Sequence, residues 1–67
     1  MTPNQFRTAI DRLDLSQVGA GRLVGADPRT ARRWALGERP VPDCVAILLR
    51  LLVAGKITVA DVEQARR

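Results

Sequence analysis

The stretch LSQVGAGRLVGADPRTARRWALG, residues 15–37, decides the fold. It reads as two short helices with a break at Gly25-Ala26. Ser16 suits the N-cap of the first, which runs through Gln17, Val18, Ala20, Leu23 and Val24. Asp27-Pro28 is a strong start for the second. The carboxylate can accept from the free amides of the first turn, and proline loses nothing at the first helical position because its missing N–H would have had no partner there. This helix is predicted over 28–36, with Gly37 as its stop. Gly19 and Gly21 each cost roughly 1 kcal/mol against alanine inside a helix. The first helix must therefore be held by packing, and the glycines would admit a close neighbour. Gly25 supplies the left-handed backbone that a tight turn between two packed helices requires.

Working outward, Thr2 and Pro3 open an N-terminal helix, with Gln5 completing a capping box. Phe6, Ile10 and Leu13 give it one apolar face, and it is expected to end near Leu13 or Asp14. Arg7 and Arg12 alternate with Asp11 and Asp14, so local ion pairing is the expectation for these charges. Residues 37–42 read as a loop. A fourth helix runs from Pro42 or Asp43 to Ala54 and is closed by Gly55. It is apolar nearly all round, so it should be covered on more than one side. Cys44 within it reads as a small buried residue. Thr58 caps a short last helix, with Asp61 three residues on, Val59, Val62 and Ala65 inward, and a frayed Arg66-Arg67 tail. No stretch alternates as a strand would. The expected architecture is a single all-α domain over 1–67 with four to five helices.

Composition excludes several functions. The chain has 67 residues, one cysteine and no histidine. A disulfide staple and a Cys/His zinc site are therefore not expected, and a reducing, cytoplasmic setting fits. The first ten residues hold no apolar signal core, and the run from Val45 to Ala54 is broken by Arg50 and too short for a bilayer. Ser16, Thr30 and Thr58 have no histidine to activate them. There is no carboxylate cluster of metal-ligand spacing and no phosphate loop of the GxxxxGKS kind. Neither an enzyme, a cofactor, a metal nor a small-molecule ligand is expected. Eleven basic residues against seven acidic ones give a net charge of +4, which favours an anionic partner. All but one of the basic residues are arginine, suited to phosphate forks and guanine edges, although a GC-rich genome would also encode arginine over lysine.

Two short helices joined by a glycine turn form a helix-turn-helix arrangement, spanning about 16–36. At about 100° per residue, Asp27, Thr30, Ala31 and Trp34 fall on one side of the second helix and Arg29, Arg32 and Arg33 on the other. The Trp34 side would lock onto the core. Arginines in a row repel one another and gain little internally, but opposite a phosphate-lined groove each releases counterions and can fork to guanine O6 and N7. Leu36 falls among them and could pack on the loop or touch a thymine methyl. Arg22 could hold a phosphate or be plain surface.

The block resembles the Cro/repressor-type (XRE-like) helix-turn-helix family. The resemblance is carried by Leu15-Ser16-Gln17, Leu23, Gly25, Thr30, Arg32-Arg33-Trp34, Gly37, Pro40 and Pro42, and covers roughly the first 54 residues. It implies a lambda-repressor-like domain in which Gln17 clamps a phosphate and the start and outer face of the second helix read bases. Those positions are Pro28, Arg29, Arg32 and Arg33. Phosphate contacts would also fall to Thr30, Arg39 and Arg22. The chain departs from the family at Gly19, Ala20, Gly21, Ala26 and Ala31, where larger or polar residues are usual, so its core around the first of the two helices should be thin.

One such helix reads only a few base pairs, so a homodimer on a pseudo-palindromic operator is expected. The excess apolar surface over about 43–54 and 58–66 would join the copies through Leu49, Leu52, Val53, Ile57, Val59 and Val62. The function so implied is a duplex-DNA-binding regulator, a repressor similar in size and layout to phage-type or anti-CRISPR-associated autorepressors. The other reading is an antitoxin-like module whose apolar C-terminal surface holds a partner protein.

Overall fold

Side-chain caps set where most of the helices begin. The Thr2 hydroxyl accepts the Gln5 amide while the Gln5 side chain accepts the Thr2 amide, and this closed box starts α1 (Pro3–Arg12). Ser16 accepts from the Gly19 amide at the head of α2 (Gln17–Leu23). Asp27 accepts from the Thr30 amide at 2.7 Å to start α3 (Pro28–Leu36). α4 (Asp43–Val53) follows Pro42 without a side-chain cap, but Asp43 puts negative charge in its first turn. A second box between Thr58 and Asp61 opens α5 (Val59–Ala65). This computed structural model describes residues 1–66, and among them the protein is all-helical.

Between α2 and α3 the chain turns at Gly25, whose φ of +80° lies in the left-handed region that a side chain would strain. The amides of Val24 and Ala26 both donate to the Gly21 carbonyl, closing the turn against the end of α2. α2 then packs chiefly on α3, α1 bridges α3 and α4, and α5 lies on α2. Phe6 and Trp34 meet edge to face at the centre, with ring centroids 5.9 Å apart and planes at 80°. Leu49 from α4, Val41 and Val45 belong to the same buried cluster. Where α2 meets α3 the core holds several small side chains, with Ala20, Ala31 and Ala35 buried alongside Leu23.

Several expectations are corrected. Cys44 is exposed rather than buried, because the core stripe of α4 is Val45, Ala46, Leu49 and Leu52 and Cys44 lies off it. α4 is not covered all round, since Ile47 is 56% and Leu51 38% exposed. Ala65 is exposed, and of the inward residues expected on α5 only Val62 is buried while Val59 is half-buried. Arg7 does not act within α1 alone: its guanidinium donates to the Ala35 carbonyl at the end of α3, as well as to Asn4. Gly21 admits a neighbouring helix, but Gly19 faces only its own cap Ser16 and the adjacent Leu15. Arg66 is engaged by the Arg22 carbonyl rather than frayed, whereas Arg67 lies outside the described residues. Leu49, Leu52 and Val62, expected at a contact between copies, are all consumed by the protomer's own core.

Candidate nucleic-acid interface

α3 is a two-faced helix. Ala31, Trp34 and Ala35 are buried against α1 and α2, which fixes its rotation about its own axis. On the far side Arg29 and Arg32 are exposed and Arg33 is half-buried. Arg29 and Arg33 are one turn apart and so share a line along the helix. Pro28 stands exposed at its head. Leu36, 54% exposed, extends the same face.

Both ends of α3 are held. At its N-terminus Asp27 takes the Thr30 amide, and its carboxyl is held below the usual carboxylate value by that bond first, then by the Thr30 hydroxyl and the Arg29 charge. Thr30 is half-buried, and its backbone amide is held by Asp27. At the C-terminus the carbonyl groups have no helical partners. The Ala35 carbonyl takes the Arg7 guanidinium, and the Arg33 carbonyl takes the amides of Glu38 and Arg39. These last two bonds hold the backbone of Arg39, whose side chain is exposed, against the Arg33 carbonyl.

Gln17, the first residue of α2, is half-buried beside Arg7, Thr8 and Asp11 in a shallow depression against α1. The same Arg7 donates to the Ala35 carbonyl at the end of α3. Arg22 lies elsewhere, on the α2 edge with Val18 and Arg66 around the turn at Gly25. The structure thus carries Arg29, Arg32 and Arg33 on α3 with Arg39 in the loop that follows it, sets Gln17 in the same depression as Arg7, and leaves Arg22 apart near Arg66. Arg7 and Arg66 were missed in the sequence. Each acts on a carbonyl more than twenty residues away, and nothing local in the sequence signals such a reach.

No protein-family model, curated protein or solved structure matches the chain.

Proposed function

We propose that this chain is a helix-turn-helix regulator that binds duplex DNA, with α3 lying in the major groove. The observation that carries this reading is the division of α3 into a face pinned by Trp34, Ala31 and Ala35 and an opposite face of arginines. Exposed guanidiniums on a rigid helix are costly to bring together in the free protein. Against a phosphate-lined groove they release counterions, and arginine forks match guanine edges. Base reading falls to Arg29, Arg32 and Arg33, with Pro28 at the groove floor. Phosphate contacts fall to Gln17 and to Arg39, which the loop holds beside Arg33. Thr30 stays with the phosphate contacts at the head of α3, and Arg22 is set aside because it lies with Arg66 at the turn.

The molecule measures 29 × 23 × 20 Å. One copy therefore spans less than the roughly 34 Å of one helical turn of DNA. A full operator takes two copies on a pseudo-palindromic site, and occupying a promoter in that way represses it. Selection from random duplex DNA tests the reading. A recurring motif, built of two inverted half-sites, supports it. Failure to enrich any sequence overturns it.

A further inference from the structure

α3 holds two large apolar side chains and treats them oppositely. Trp34 is 5% exposed in the core, and Leu36, two residues on, is 54% exposed. Leu36 is not part of an apolar patch on its helix. The residues three and four positions before it, which share its surface, are Arg33 and Arg32. At about 100° per residue it falls between those two and about 20° from the line of Arg29. Whatever covers Leu36 therefore meets the arginines as well. An apolar surface would bury guanidinium charge without a partner, at high cost. The occupant has to be an anionic surface with an apolar group set into it.

Duplex DNA has that chemistry. Its phosphates line a major groove whose floor carries an apolar group, the C5-methyl of thymine. α3 has nine residues and is about 13.5 Å long, close to the roughly 12 Å width of that groove, so its last residue stays inside the groove with its first. Leu36 lies about 4.5 Å along the axis from Arg33, and base pairs are about 3.4 Å apart. We infer that Leu36 reads the C5-methyl group of a pyrimidine one or two base pairs from the guanine that Arg33 forks. This rests on the reading of α3 as the groove-binding helix and deepens it by adding an apolar reader to the arginines. Leucine against the methyl takes apolar surface of both out of water. Against a cytosine it displaces water from the N4 amino group and offers no acceptor in return. Thymine and 5-methylcytosine carry the same methyl.

The test uses the duplex recovered by selection, with each thymine of the half-sites replaced in turn by uracil, which removes the methyl and nothing else. At one position the natural chain should lose about fourfold in affinity per half-site, the worth of one buried methyl group. Leu36→Gln should bind the thymine and uracil duplexes equally at that position, with unchanged circular dichroism because the side chain is exposed. At the same position 5-methylcytosine, paired with guanine, should be bound about fourfold per half-site more tightly than cytosine. No response to 5-methylcytosine would assign the discrimination to the thymine O4 and overturn the inference. Equal affinity for thymine and uracil at every position would overturn it too, as would a selected half-site without thymine or a Leu36→Gln chain that keeps the whole difference. Each of these results would leave the chain a DNA binder, whereas a selection that enriches no sequence would remove the DNA-binding reading and this inference together.

Discussion

Gly21 in α2 and Ala31 in α3 approach so closely that a Cβ at position 21 would lie 2.8 Å from the Ala31 Cβ. The carbonyl of Ala26 is at 3.3 Å on the same side, so neither neighbour is a flexible chain end that could swing away. The contact sets how deeply α2 settles on α3, and through α3 where the arginines stand.

Two glycines in one helix are therefore expected to answer differently to alanine. Gly21→Ala should destabilise by about 1–3 kcal/mol, since overpacking outweighs the roughly 1 kcal/mol that alanine contributes in a helix. Gly19→Ala meets only the Ser16 hydroxyl at 3.1 Å and Leu15 at 3.9 Å, both side chains. It should be neutral or stabilising by up to about 1 kcal/mol. Urea denaturation of the two variants checks the pair, and equal losses would contradict the close approach.

Asp27 gives the start of α3 a pH dependence of defined sign. Its folded carboxyl titrates below the ordinary value of 3.8. The unfolded chain therefore takes up the proton first, and the stabilising contribution is present above about pH 4 and lost as pH falls through the folded value. Asn caps a helix without titrating. The stability difference between the natural chain and Asp27→Asn should be constant near neutrality and shift against the natural chain in acid. A difference independent of pH would contradict the capping role.

Arg7 should matter through its bond to α3 rather than through an ion pair within its own helix. Arg7→Met removes the bond to the Ala35 carbonyl and is expected to cost about 1 kcal/mol. Asp11→Asn and Asp14→Asn, the ion-pair partners expected from sequence, should stay within about 0.5 kcal/mol of the natural chain. Thermal melts of the three variants distinguish the arrangements.

Base readers and phosphate clamps lose affinity in different ways. Arg33→Ala should cost about 1–3 kcal/mol on the selected site and relax the preference at one position of each half-site. Gln17→Ala should weaken binding to all duplexes alike. Competition binding against single-base variants of the site checks both, and a uniform loss for Arg33→Ala would reassign it to phosphate.

The helices were legible in the sequence because their boundaries are written locally. Thr2, Ser16, Asp27 and Thr58 each cap from three residues away, and Gly25 marks the turn by its own backbone. The rotation of α3 was legible too, since Ala31 and Trp34 share a helical line. The outer surface of α4 was not. With nine apolar residues from Val45 to Ala54 interrupted only by Arg50, periodicity alone cannot tell Leu49, which is buried, from Leu51, which is 38% exposed. That choice depends on where α1 lies. Arg7 and Arg66 stayed hidden for the same reason, because their partners Ala35 and Arg22 are distant in the chain.

The α3 arginines can be tested together by titrating the selected duplex at several salt concentrations with the natural chain and with the Arg29→Ala/Arg32→Ala/Arg33→Ala variant. The natural chain should lose affinity steeply as salt rises, and the folded variant should bind far more weakly with a shallower slope. Equal affinity and equal slope for the two proteins would contradict the account.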